Sequence, residues 1–251
     1  MIKVDIILPT YNCEKYIEEA MNSIVDQSFE NWKLIIIDDG SSDSTPQLIE
    51  KYLKDKRINL KRLEQNTGQG YCRNLALKYS SSEYVAFIDA DDIWDKNKLK
   101  KQIEFMDNTN LDFTYTDFII FKEIDGVKKF NKKVTLPKKF TYDLFVKNTS
   151  ICTSSMIVKR EKINLAKFLN ITSCDNYFFK CELLRNCNFA KKLGEKLTLY
   201  RISKNSVQSS KFKNLYWVWY TNKRYNKMNI LNNILSVLSI SFNSIKKYGF
   251  K

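Results

Sequence analysis

Three carboxylates, Asp89, Asp91 and Asp92, fall within four positions of the stretch FIDADDIWDKNKLKK (87–101), directly after an apolar run and before a basic helical segment. Their mutual repulsion has to be offset. One account is a plain strand-to-helix junction, because Asp favours turns and helix caps. The other is a hard divalent cation with oxygen ligands. The chain has no histidine, so acid–base work and metal binding fall to carboxylates.

A second acidic cluster, Asp38 and Asp39 in IIIDDGSSDSTPQ (35–47), also ends an apolar run. Thr45 suits a helix cap and Pro46 a first helical turn. Capping accounts for Asp43, Ser44 and Thr45, and leaves two adjacent acids at a strand end unexplained. A carboxylate there can accept the N–H of a uracil while the following turn approaches a ribose. Upstream, LPTYN (8–12) puts Pro9 where a ladder donor is no longer needed, which leaves the backbone of Thr10 and Tyr11 free beside the same crevice. NTGQGYCRN (66–74) offers Gly68 and Gly70 for close backbone approach and Arg73 for a nucleotide or its phosphate. It lacks the third glycine of a dinucleotide fingerprint.

These clusters need a frame. Short β-rich runs at 3–8, 32–38, 58–63 and 83–89 alternate with helical patterns near 14–27, 44–55 and 69–80, a rhythm that predicts right-handed crossovers and a mostly parallel sheet. Each cluster follows a strand's C-terminal end, where open α/β sheets bind ligands. Beyond residue 110 the Asp125-Gly126 pair predicts an antiparallel excursion over 112–134. A helix near 140–147, a strand near 151–158 and a helix near 175–186 follow.

ILPTYN, DDGSSDST, NTGQGYCRN and FIDADDIW, in this order and at these separations, resemble the successive signatures of the family 2 glycosyltransferases, inverting nucleotide-sugar enzymes of GT-A fold. The likeness is strong over residues 3–105 and looser over 150–208. It implies a GT-A-like α/β fold: a mixed, mainly parallel sheet flanked by helices, with a C-terminal helical tail. It implies that Pro9, Thr10 and Tyr11 line the nucleoside pocket and that Asp39 contacts the base. Asn66, Gly68, Arg73 and Ala90 join the nucleotide-sugar site, the D-x-D motif Asp89-Ala90-Asp91 meets ribose and metal with Asp89 on the ribose or a metal-bound water, and Asp91 ligates Mn²⁺ or Mg²⁺. SCDNYFFKCELLR (173–185) looks like the family's Glu-Asp segment with Cys174 replacing Glu, which makes Asp175 the catalytic base and Glu182 the reserve. LYRISKNSVQ (199–208) resembles a later Tyr-Arg segment. There Arg201 and Lys204 become diphosphate partners, and Ser203 stands where the family often has a His.

The implied activity is metal-dependent, inverting transfer of a hexosyl or N-acetylhexosaminyl group from a UDP-sugar to a hydroxyl of a glycan or lipid-linked acceptor in bacterial surface polysaccharide or lipooligosaccharide synthesis. The alternatives are a nucleotidyltransferase, which needs a basic Gly-rich phosphate loop that LPTYNCEKY does not provide, and a catalytically degenerate nucleotide-sugar-binding protein.

At 251 residues, 43% hydrophobic and with 6 Gly and 3 Pro, the chain suits one main domain over 1–208 and a tail over 209–251. The net charge of +14 is uneven: residues 1–110 carry 15 Lys/Arg against 19 Asp/Glu, residues 111–251 carry 27 against 9, and no acid follows Glu195. Such asymmetry suits an anionic membrane surface or a phosphorylated lipid. Nucleic acid is not expected, because no RNA- or DNA-binding motif accompanies the charge. Six scattered cysteines and an N-terminus without signal-peptide features point to the cytoplasm. In MNILNNILSVLSISFNSI (228–245), Leu231, Ile234, Leu235, Leu238, Phe242 and Ile245 form one helical stripe, too interrupted to span a bilayer. Such a helix packs on its own domain or on a second subunit as a homodimer, or lies on the inner face of the cytoplasmic membrane as a peripheral anchor.

Overall fold

A computed structural model describes residues 3–202 and 211–248 except 125, 135, 165, 172 and 173. Four strands build the parallel half of the sheet: β1 (Val4–Thr10), β2 (Trp32–Asp38), β3 (Ile58–Arg62) and β4 (Tyr84–Phe87), in the order β3-β2-β1-β4. Helices α1 (Ile17–Val25), α2 (Thr45–Glu50) and α3 (Gln69–Lys78) make the crossovers. All seven residues of β1 are buried, as expected of a strand covered on both faces. Alternation sends Ile6 and Leu8 into a core with Met21 and Ile24 of α1, Ile49 of α2 and Leu99, Ile103 and Met106 of α4 (Lys98–Thr109). It sends Ile7 into the opposite core with Cys72 and Ala76 of α3.

The remaining strands extend the sheet as β4-β9-β6-β10-β5, mostly antiparallel, where β5 is Ile93–Trp94, β6 Phe113–Ile124, β9 Met156–Lys159 and β10 Ala190–Arg201. Only β10 and β6 run parallel here. β7 (Val127–Val134) forms the expected hairpin with β6: Ile124 pairs with Val127, and Gly126 takes a left-handed φ of 74°. Asp125 of the expected turn lies outside the described residues. A two-residue strand, β8 (Lys139–Phe140), pairs with β10.

β10 has no counterpart in the sequence reading. Its ladder with β6 shifts register between Leu193 and Lys196 and again between Lys196 and Thr198. Each bulge resets the in–out alternation on which strand recognition depends.

Short helices α5 (Tyr142–Phe145) and α6 (Arg160–Ile163) precede α7 (Asp175–Asn186). The C-terminal segment folds as α8 (Lys211–Arg224) and α9 (Ile230–Tyr248). These helices dock on α5 and α7 through polar groups. Asn222 accepts from the Tyr177 hydroxyl at 2.7 Å and donates to Asn233 and Ser236, and the Ser236 hydroxyl donates to the Val146 carbonyl. Val218 and Ile240 join the apolar core beside them. Of the segment expected as a tail from residue 209, the described part, 211–248, therefore packs on α5 and α7. Among the described residues no helix is long and apolar enough to cross a membrane.

Candidate functional site

The loops after β1, β2 and β4 meet at the C-terminal edge of the parallel strands, and each local conformation has an identifiable hydrogen-bond cause. Asn12, with φ 44°, is held by Ser41 Oγ accepting from its N–H and by its own Oδ1 accepting from Ser42 N–H. Thr45 does not cap α2. It is the first helical residue, and its hydroxyl accepts from Cys13 N–H at 2.8 Å, which ties the β1 loop to the β2 loop. Pro9 and Thr10 end β1, and the Tyr11 ring is half exposed.

The two adjacent acids divide their work. Asp38, fully buried, accepts from the hydroxyls of Thr10 and Ser41 and from Ser41 N–H, and so closes the turn. Asp39 accepts from Thr67 N–H and hydroxyl at 2.7 Å and from Gly68 N–H at 2.8 Å. Its Oδ2 takes a single one of these bonds, so a lone pair remains for a further donor. Asn66 is exposed beside this loop. Gly68, with φ 94°, starts α3. Gly70 is required by proximity: a Cβ there would lie 2.4 Å from the Leu169 carbonyl and 3.4 Å from Asp175.

Two of the three carboxylates Asp89, Asp91 and Asp92 have partners that offset their repulsion. Asp89 pairs with Arg73 at 2.6 Å. Asp92, fully buried, accepts from the Ser154 hydroxyl and from Arg201 N–H. Burial, reinforced by Asp91 and Asp89, pushes its carboxyl well above the usual range. Asp91 is left over. Among the described residues no side chain donates to its carboxyl, and burial together with Asp89 pushes it up to about 6. A carboxyl kept at a cost, half-buried and with no side-chain donor among the described residues, is chemically suited to a hard cation. No group of three or more metal-ligating side chains occurs among the described residues. Such a cation would therefore rest on one or two carboxylates and fill its remaining positions from phosphate and water.

Arg73 connects this edge to the other side of the crevice. Its guanidinium is buried, with Nη1 donating to Asp175 at 2.9 Å and Nη2 to Asp89 at 2.6 Å and Gln69 at 2.8 Å. Both of its terminal nitrogens thus engage carboxylates, whereas the sequence pointed it at a nucleotide. Asp175 is the first residue of α7. The N-cap is Cys174, in a left-handed conformation with φ 66°, so Asp175 is not the helix cap. Burial raises its carboxyl, opposed by Arg73. Its second oxygen has no side-chain donor among the described residues. Glu182, seven residues further along α7, lies about 10 Å down the helix and pairs with Arg185.

Arg201 also differs from expectation. Its side chain is buried between the rings of Tyr16 and Phe121, Nη1 and Nη2 pair with Glu123 and Glu19, and Nε donates to the Asp91 carbonyl at 2.9 Å. It clamps the Asp91–Asp92 turn, and all three of its nitrogens are engaged within the protein. Ser203 and Lys204 lie outside the described residues. Two groups were not read from sequence. Ser154, in the turn Thr153–Ser155, accepts from Asp89 N–H and bonds Asp92. Lys180 of α7 donates to the Ile151 carbonyl and the Thr153 hydroxyl, tying the helix that carries Asp175 to that turn. The Ser/Thr run heading β9 was the available signal.

Residues 5–165 match the family described as Glycosyl transferase family 2. The chain is 34% identical over 245 residues to the putative teichuronic acid biosynthesis glycosyltransferase TuaG of Bacillus subtilis (strain 168), covering 97% of this chain and 96% of that one. It is 35% identical over 247 residues to the UDP-Glc:alpha-D-GlcNAc-diphosphoundecaprenol beta-1,3-glucosyltransferase WfgD of Escherichia coli, covering 98% and 95%. Its fold matches S. aureus TarS 1-349 in complex with UDP-GlcNAc with a TM-score of 0.74 at 22% identity, over 97% of this chain and 73% of that one. The mannosyltransferase PcManGT from Pyrobaculum calidifontis, in complex with GDP-Man and Mn²⁺, matches with a TM-score of 0.70 at 18% identity, over 94% and 69%. With that family match over most of its sheet, and with relatives aligned along nearly its whole length, the chain belongs to glycosyl transferase family 2.

Proposed function

We propose that this glycosyltransferase moves a glucosyl or N-acetylglucosaminyl group from a UDP-sugar to a hydroxyl of a lipid-linked glycan, with inversion, at the inner face of the cytoplasmic membrane in surface polysaccharide synthesis. The observation that carries the reading is Arg73, whose one guanidinium holds Asp89 on the donor side and Asp175 on the other. Asp39 offers its remaining lone pair to the base N–H, Pro9, Thr10 and Tyr11 border the nucleoside, and the backbone at Asn66 and Gly68 approaches it. Asp89 and Ala90 border the ribose.

The residues fit a divalent ion, Mn²⁺ or Mg²⁺, held by Asp91. When bound it neutralises charge on the leaving diphosphate. Asp175 takes the proton of the acceptor hydroxyl as its oxygen bonds to the anomeric carbon, and the carbon–oxygen bond to the diphosphate breaks, releasing UDP. Arg73 keeps Asp175 oriented, and Arg201 and Ser154 fix the turn that presents Asp91.

A thermal-shift and hydrolysis screen over UDP-, GDP-, CDP- and dTDP-sugars, with and without Mn²⁺ or Mg²⁺, tests this, since a bound donor stabilises the native state by mass action. Metal-dependent stabilisation and hydrolysis are expected with UDP-glucose or UDP-N-acetylglucosamine. Response to other nucleotides alone, or pyrophosphate release from a nucleoside triphosphate, would contradict it.

A further inference from the structure

α9 packs on the protein through a mixed face and leaves its largest apolar side chains outside. Polar residues share its inward face with Val237 and Ile240: Asn233 and Ser236 are buried in the Asn222 network, and Asn243 donates to the Lys147 carbonyl. Its apolar stripe faces away, with exposures from 41% at Ile234 to 70% at Leu231 and Phe242, and Ile230, Leu235 and Leu238 between. Large apolar side chains contiguous along four turns of a helix are the kind of exposed patch that marks an interaction site.

The surrounding charge selects the occupant. Residues 211–248 carry seven Lys/Arg and no Asp or Glu. On α8, the rings of Tyr216, Trp217 and Tyr220 contact one another, and aromatic rings of this kind favour the boundary between lipid and water. A second copy of the chain would set two positive surfaces face to face. An anionic lipid surface supplies the opposite charge and an apolar phase together, and a helix lying in it buries its apolar face about 5–10 Å deep.

We infer that α9 is a monolayer-inserting face: Leu231, Leu235, Leu238 and Phe242 enter an anionic lipid leaflet while the Asn222 network keeps the helix fixed to the catalytic half. This deepens the proposed function and rests on its lipid-linked acceptor. Docking by a helix rigidly tied to α7, which begins with Asp175, holds the acceptor side of the crevice at a constant distance from the membrane plane.

The test is flotation of the full chain with vesicles of phosphatidylglycerol and phosphatidylcholine. Wild type is expected to float with phosphatidylglycerol-containing vesicles at low salt and to keep a reduced bound fraction at roughly 0.5 M salt, where charge attraction is screened. The variant Leu231→Ser/Leu235→Ser/Leu238→Ser/Phe242→Ser is expected to lose at least tenfold in partitioning while its UDP-induced thermal shift stays at the wild-type value. Lys223→Gln/Arg224→Gln/Lys227→Gln is expected to weaken binding and flatten its salt dependence. If the fourfold variant does not fold, Leu231→Ser and Phe242→Ser, each at a highly exposed position, carry the test with smaller losses. Wild type that does not float at low salt overturns the inference. So does equal binding to pure phosphatidylcholine, unchanged binding of the apolar variants, or a wild-type dimer that the fourfold variant converts to monomer. UDP binding and donor hydrolysis read the proposed chemistry separately, so either reading can fail alone.

Discussion

Asp175→Asn removes a basic carboxylate but leaves an oxygen where Arg73 Nη1 donates at 2.9 Å. The stability cost follows from exchanging a charge-assisted hydrogen bond for a neutral acceptor, about 1–2 kcal/mol. It is partly offset because burial already disfavours the ionised Asp175. Arg73 keeps Asp89 as its counter-charge, so the variant folds. Asp175→Ala differs: it leaves a buried guanidinium arm unpaired, a cost of about 3–5 kcal/mol. Loss of a general base lowers transfer by roughly 10²–10⁴-fold, or about 3–5 kcal/mol of barrier. UDP release in the presence of acceptor measures transfer, and UDP-induced thermal shift measures donor binding. Asp175→Asn should keep the thermal shift and lose the transfer. If its transfer stays within a fewfold of wild type, or if Glu182→Gln is the crippled variant, the base lies elsewhere and Asp175 serves only to hold Arg73.

Three further outcomes follow from the geometry. Asp91→Asn removes a carboxylate that burial and Asp89 keep up near 6, so the protein alone should melt no lower than wild type, while the extra stabilisation by Mn²⁺ with UDP disappears in the same melts. Gly70→Ala puts a Cβ 2.4 Å from a backbone carbonyl, so chemical denaturation should show a loss of roughly 1–3 kcal/mol, typical of overpacking. Lys98, buried against Trp94 with its amine donating to Gln102 at 2.9 Å, is lowered by burial to about 7 from an ordinary 10.5. Between those values the unfolded chain holds a proton that the folded chain lacks, so this residue's contribution to stability rises with pH. Lys98→Met lacks that slope, and the melting-temperature difference, variant minus wild type, should fall from pH 7 to pH 10.

What the sequence disclosed, and what it hid, divides along physical lines. β1, β2 and β4 were readable because each is a mainly apolar run with Pro or Asp at or just beyond its C-terminal end, and those ends therefore located the crevice. β10 was not, because Gly194 and two register shifts erase its alternation. The acidic motifs announced a site but not how its charge is balanced. Arg73 bonds residues 16 and 102 positions away, and nothing local to NTGQGYCRN specifies partners at that distance. Arg201 was legible as a cation, whereas its cage of Glu19 and Glu123 comes from two distant elements. The α9 stripe was visible in the 3.6-residue period, but periodicity does not say which face is inward. Asn222 on α8 decides that by offering the polar face of α9 its partners.

The proposed reaction is a single displacement at the anomeric carbon with Asp175 as base and a metal held at Asp91. Proton NMR of the product formed by the purified chain from an α-linked UDP-sugar, a polyprenyl-diphosphate-linked acceptor and Mn²⁺ tests it most directly. A β-linked product, formed by wild type and absent with Asp175→Asn and Asp91→Asn, is the predicted result. An α-linked product, or a β-linked product formed equally well by both variants, would contradict it.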